Sequence, residues 1–168
     1  MAAVLITGMS GVGKSTALAE LACRGHRVVD TDHGGWSEQV PAADGSGMEQ
    51  LWREDRIQAL LAETAAGPLF VSGCVANQGR FSAQFAAIVL LSVPEDVLVQ
   101  RVSSRLTNEF GKTEAELARI LRDLHSVEPL LRATATDEID TRIPVGEVAD
   151  LLESIATGGR RAASRSAP

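Results

Sequence analysis

The sequence predicts an α/β domain with a five-stranded parallel sheet and helices on both faces, on three observations. Short apolar runs at residues 3–7, 27–32, 69–72, 86–93 and 138–140 alternate with stretches of helical periodicity, the order of strand-helix-strand units. Between the first strand and the first helix stands Gly8-Met9-Ser10-Gly11-Val12-Gly13-Lys14-Ser15, which reads G-x-x-x-x-G-K-[ST] in the strand-to-helix context that this motif requires. The length, 168 residues, is that of one domain with a proper core.

Each element has its own signal. Residues 3–7 form a buried strand, and residues 15–24 a helix with Leu18, Leu21 and Ala22 on one face, ended by Gly25. Residues 27–32 are a second strand that runs out into Asp30 and Asp32. Ligands of open parallel sheets collect at the carboxyl ends of strands, so both carboxylates emerge near the glycine-rich loop. Residues 37–47, with Pro41, Gly45 and Gly47, read as a mobile excursion. Residues 48–63 read as a helix whose apolar side carries Leu51, Trp52, Ile57, Leu60 and Leu61, with Arg53 and Arg56 three apart. Gly67-Pro68 stops it, and residues 69–72 are the third strand. Residues 86–93 are the most continuously apolar strand, hence central or covered on both faces.

Pro94 opens the next helix, in which Val97, Leu98 and Val102 leave Arg101 and Arg105 four apart on a different face. Residues 107–113 lack apolar periodicity and contain Gly111, a loop. Residues 114–131 return to helix and break at Pro129; residues 138–140 are the last strand and 145–155 the last helix, begun by Pro144. From Gly158 the composition predicts a disordered tail, so the domain spans residues 1–157.

Composition narrows the function. The formal net charge is -6, the pI about 5.1, and no basic block interrupts the chain, which argues against a large nucleic-acid footprint. Lysine occurs only as Lys14 and Lys112, so arginine must supply most local positive charge. Cys23 and Cys74 suit free thiols in a reducing cytosol, and no paired base marks Cys74 as a nucleophile. The first apolar run is too short for a signal sequence and no stretch is long enough for a membrane span, so a cytoplasmic, membrane-free protein is expected. His26, His33 and His125 are too dispersed for zinc, which leaves Mg²⁺ as the one metal implied. Nothing in the sequence separates monomer from homodimer.

The glycine-rich motif has a mechanism. Its glycines let successive N–H groups, those of Gly11, Gly13 and Lys14 among them, point into one concavity at a helix N-terminus, where an anion fits. In this P-loop, which includes Val12, Lys14 reaches the β- and γ-phosphates, the Ser15 hydroxyl ligates Mg²⁺, and Thr16 is a further phosphate donor.

With this loop, a strand ending in Asp30-Thr31-Asp32, and Arg101-Val102-Ser103-Ser104-Arg105 ahead of a short loop, the chain resembles the small P-loop kinases: shikimate kinase, gluconate kinase and the nucleoside-monophosphate kinases. The resemblance implies a three-layer P-loop NTPase fold with sheet order 2-3-1-4-5, a lid at about residues 105–113 and a substrate-binding excursion at about 33–56. It implies an ATP- and Mg²⁺-dependent phosphotransferase acting on a small-molecule acceptor. By the same resemblance Arg101 stacks on adenine, Arg105 clamps the phosphates, and Arg142, Ile143 and Val145 contact the base. Asp30 sits in the outer shell of Mg²⁺, and Asp32 orients the acceptor hydroxyl or takes its proton. Lys14, Asp32 and Arg105 are then the candidate catalytic residues.

Trp52-Arg53 fills the place of the Phe-Arg pair that brings an arginine to the substrate carboxylate in shikimate kinase. An acceptor pocket drawn from Asp32, Trp36, Arg53, Asn77, Gln78 and Arg80 would suit an anionic or polyhydroxy metabolite. The chain departs from the pattern after the third strand, where Ser72-Gly73-Cys74-Val75 replaces the D-G-F-P-R of adenylate kinases and the three glycines of shikimate kinase. Two further readings stay open: a nucleoside or nucleoside-monophosphate kinase, and a regulatory P-loop ATPase or nucleotide switch with a protein partner. In the first, Trp36 or Trp52 stacks a base, although a tryptophan on an amphipathic helix is more often core. For the second, the lack of an N-K-x-D motif argues against a GTPase. A polynucleotide kinase is disfavoured by the acidic balance.

Overall fold

The computed structural model describes residues 2–45, 47–63, 67–104 and 113–158. Its central sheet is built from β1 (Ala3–Thr7), β2 (Arg27–Asp30), β5 (Leu69–Ser72), β6 (Ala87–Ser92) and β7 (Asp137–Asp140), all parallel, in the order β2-β5-β1-β6-β7. Counted within the sheet this is 2-3-1-4-5, because β3 (Ser37–Pro41) and β4 (Met48–Trp52) form a separate antiparallel hairpin. β1 and β6 are buried at every residue, as continuous apolar runs covered on both faces must be.

The two-residue alternation of strands sorts their side chains between two cores. Val4, Ile6, Phe70, Val89 and Leu91 face α1 (Lys14–Cys23), α3 (Glu95–Ser104), α4 (Glu114–Ser126) and α6 (Val145–Ala156). Ala3, Leu5, Leu69, Val71 and Ile88 face α2 (Glu54–Ala62), Trp52, and Phe81 from a 3-10 segment, Gln78–Gln84. Helices therefore cover both faces. Among the described residues no helix is long and apolar enough to cross a membrane.

Four local expectations are corrected. The helix expected over 48–63 is β4 followed by α2, and the excursion at 37–47 contains β3, paired from Ser37↔Trp52 to Pro41↔Met48. Tertiary anchoring of Trp52 explains the change: its N–H donates to Asn77 Oδ1 (2.8 Å), its carbonyl accepts from Asn77 Nδ2 (3.0 Å), and its indole N–H donates to Thr31 Oγ1 (2.8 Å). A helical turn at Trp52 would commit the same backbone groups elsewhere. The second strand stops at Asp30, where the Asp32 N–H donates to Asp30 Oδ1 (3.1 Å) and turns the chain. The helix expected to break at Pro129 is two helices, α4 and α5 (Glu128–Thr134), with Pro129 in the first turn of α5, where no N–H is missed. The tail from residue 159 and the stretch 105–112, which includes Arg105 and the expected lid up to Thr113, lie outside the described residues.

Candidate active site

The loop between β1 and α1 takes its shape from backbone that side chains resist. Gly8 has φ +145°, and a Cβ there would lie 2.4 Å from the Leu91 carbonyl oxygen of β6; Gly13, with φ +104°, forms the N-cap of α1. Val12 is buried, and its carbonyl accepts from Thr141 Oγ1 (2.6 Å) and Arg101 Nη1 (3.4 Å), which ties the loop to the turn after β7. The Lys14 ammonium donates to the carbonyls of Gly8 (2.7 Å) and Met9 (3.0 Å), so the lysine lies back across its own loop.

This loop floors a cavity of about 570 Å³. The remainder of its wall comes from Arg101, Ser104, Thr141, Ile143, Val145 and Val148, with Asp32 also in the lining. Sequence-expected Gly11, Val12, Gly13, Lys14, Ser15, Thr16, Arg101, Ile143 and Val145 thus surround one space. Arg101 is held in place rather than left to stack freely: it donates to Thr141 Oγ1 (2.8 Å) and to the Thr141 carbonyl (2.7 Å). Arg142 does not line the cavity. It forks onto Asp140 at 2.6–3.0 Å, a pair that holds the Asp140 carboxyl below its ordinary range and raises the guanidinium further.

A second cavity, of about 580 Å³, lies against the other side of the loop. Ser10, Lys14 and Asp32 line both. The rest of this second lining comes from β4 (Glu49, Gln50), the segment after β5 (Cys74, Val75, Ala76) and the stretch from α4 into α5 (Arg119, Ile120, Asp123, Val127, Leu131). Burial pushes the Cys74 thiol up, with Asp32 and Asp123 adding to the rise and Lys14 opposing it, so Cys74 is a protonated wall residue and not a nucleophile.

Of the expected acceptor residues, the structure brings only Asp32 to this cavity. Trp36 lies under the Arg56 guanidinium, 4.9 Å from the ring centroid, and Arg56 donates to the carbonyls of Gly34 (3.2 Å) and Gly35 (2.7 Å). Arg53 is exposed and 4.0 Å from Glu38, and Arg80 is ion-paired with Glu54. Asn77 brackets the Trp52 backbone. Gln78 donates to Thr7 Oγ1 (3.3 Å) and accepts from the Val75 N–H (3.2 Å), so both amides secure the loop after β5. Asp30 accepts from the Asp32 N–H and lines neither cavity. Glu49, Gln50, Arg119 and Asp123 are residues that the sequence does not single out. No motif marks them, and the helical periodicity of 48–63 hides the pair on β4.

For Mg²⁺ the donor set fits. Ser15 is exposed in the first turn of α1 beside Lys14 and lines the first cavity. Among the described residues no group of three His, Cys, Asp or Glu forms a metal cage. A single hydroxyl beside a phosphate-binding loop suits a cation that keeps waters and takes its remaining ligands from phosphate oxygens.

A glycine-rich loop opening onto a helix N-terminus, at the carboxyl edge of a 2-3-1-4-5 parallel sheet, defines a P-loop nucleotide-binding domain. Residues 4–122 match the family model of the AAA domain, and the chain belongs to this family. No curated protein sequence matches it. The chain is similar in structure to shikimate kinase from Acinetobacter baumannii in complex with shikimate, at 18% identity over 96% of each chain and a TM-score of 0.63. It is also similar to shikimate kinase from Bacteroides thetaiotaomicron (19% identity, 90% of this chain and 98% of that one, TM-score 0.58). A gluconokinase from Sinorhizobium meliloti is a third such structure (17%, 94% and 92%, TM-score 0.57). The fold is that of the small P-loop kinases.

Proposed function

We propose that the protein is an ATP-dependent phosphotransferase that moves the γ-phosphoryl group of ATP to a hydroxyl of a small metabolite. The observation that carries this reading is the pair of cavities with Ser10, Lys14 and Asp32 as common lining. A stand-alone ATPase needs the first cavity only; a transferase needs an acceptor beside it. The hairpin supports the reading, because Glu49 and Gln50, which lie within residues 33–56, line the second cavity.

The loop N–H groups from Gly11 to Thr16 and the Lys14 ammonium would hold the β- and γ-phosphates, and Ile143 and Val145 the base. Lys14 exchanges its loop carbonyls for phosphate oxygens at little cost, since one set of charge-assisted hydrogen bonds replaces another. Ser15 would hold Mg²⁺, which when bound would neutralise charge on the phosphate oxygens. Arg105, the residue after the last of α3, is the proposed clamp on those oxygens. The acceptor oxygen bonds to the γ-phosphorus as the bond to the β,γ-bridging oxygen breaks. ADP departs, and the hydroxyl proton passes to Asp32.

The test is a mass-spectrometric search for phosphorylated products after a metabolite extract is supplied with ATP, Mg²⁺ and the protein. A new phosphomonoester that is absent with Asp32→Asn is the expected result. ATP hydrolysis that no metabolite alters would instead favour the ATPase reading.

A further inference from the structure

The charges lining the acceptor cavity point to the chemistry of its occupant. Carboxylates come from three elements: Asp32 after β2, Glu49 on β4 and Asp123 on α4. Among the described residues the cations in this lining are Lys14, already turned to the phosphate loop, and Arg119. The arginines that would greet an anionic acceptor are occupied elsewhere: Arg53 lies beside Glu38, Arg80 pairs with Glu54, and Arg56 donates to Gly34 and Gly35. In contrast, no ion pair engages Asp32, Glu49 or Asp123 among the described residues. Asp32 and Asp123 line the same cavity as Cys74, and both carboxylates act electrostatically on its thiol. Beside Ser10, Gln50 and Cys74, the wall carries an apolar group, Val75, Ile120, Val127 and Leu131.

We propose that the acceptor is a hydroxylated amine, its reacting hydroxyl at Asp32 and its ammonium held by the carboxylates that β4 and α4 contribute, Glu49 and Asp123. This rests on the phosphotransfer reading above. Among the described residues, an anionic acceptor would meet three carboxylates with Arg119 as its main compensation, Lys14 being engaged with the phosphate loop; an ammonium is drawn by the same field. The apolar side then packs the carbon skeleton, as binding sites with a few convergent polar groups do. Asp123 and Glu49 are positioning residues: they fix which hydroxyl reaches Asp32 and take no part in the proton transfer.

The experiment uses the full chain with Mg²⁺ and a panel of matched acceptors, in which each amine accompanies its hydroxyl and its carboxylate counterpart: glucosamine, glucose and gluconate; ethanolamine, ethylene glycol and glycolate. Binding is measured by calorimetry with a non-hydrolysable ATP analogue, and transfer by mass spectrometry with ATP. An amine should bind at least about tenfold tighter than both of its counterparts. Asp123→Asn and Glu49→Gln should each raise the KM of that amine about tenfold or more and narrow its advantage over the hydroxyl counterpart, while affinity for the ATP analogue changes by less than about threefold. Tightest binding by a carboxylate, binding by no amine, or an amine KM unmoved in both variants overturns the proposal. The two readings fail separately. Phosphorylation of a carboxylate acceptor keeps the phosphotransferase and removes the amine, whereas amine binding that depends on Asp123 and Glu49 without transfer keeps the amine site and removes the phosphotransferase.

Discussion

At Gly73 an added methyl group would meet the Thr31 hydroxyl at 2.3 Å and the Trp52 ring at 2.9 Å, so the segment after β5 needs glycine for close approach rather than for turning. Gly73→Ala is expected to cost about 1–3 kcal/mol, read as a lowered midpoint of urea unfolding, because neither neighbour is a loose side-chain end. Lys14→Ala should lower transfer by roughly 10²–10³-fold, and near-normal turnover would remove the lysine from the mechanism. Asp32→Asn should lower kcat by about 10²–10⁴-fold with ATP affinity retained, which equilibrium binding of nucleotide checks. Lys14 and Asp32, which line both cavities, each sit in a local sequence pattern that draws the eye to them. Asn77 and Gln78 do not. An amide in a loop can serve a ligand or the backbone, and only the fold reveals that these two face Trp52, Thr7 and Val75.

The elements are legible where hydrophobic periodicity decides and obscure where one anchor does. All five sheet strands and five of the six helices of the structure correspond to segments with a periodicity of their own. The hairpin does not, because Glu49, Gln50 and Leu51 are good helix formers and only the burial of Trp52 commits them to a strand. Thr31→Val tests this anchor. It deletes the hydroxyl that accepts from the Trp52 indole N–H and donates to the Ser72 carbonyl (2.7 Å), leaving the buried indole N–H unpaired while the carbonyl keeps the Thr31 backbone N–H (3.0 Å). A loss of about 1–3 kcal/mol is expected, together with a shift in Trp52 fluorescence as the hairpin loosens.

A second test at this scale uses acid. Arg132 bonds Glu138 and the buried Glu128, and the arginine holds the Glu138 carboxyl below its ordinary value of 4.5. A depressed carboxyl stabilises the fold fully above that value and progressively less as pH falls through the lower, folded-state value. The gap in stability between wild type and Arg132→Gln should therefore be widest near neutrality and narrow below pH 4.5. A gap independent of pH would show that the pair contributes packing alone.

For the whole molecule, the sheet order and the placement of the phosphate loop at its carboxyl edge derive from the chain's alternating segments and one motif. The second cavity does not, since it is assembled from β4, the segment after β5, and the stretch from α4 into α5, which are remote in sequence and share no pattern. Its common wall with the nucleotide cavity has a kinetic meaning. The two chambers share the phosphate loop and touch through Ser10, Lys14 and Asp32, so under the proposed function donor and acceptor would be resident together and the phosphoryl group would not need to rest on the protein. Initial-velocity plots at several fixed acceptor concentrations should intersect, and inversion at phosphorus in a chiral γ-thiophosphate should accompany a single displacement. Parallel lines would instead require a phosphorylated side chain as an intermediate waystation.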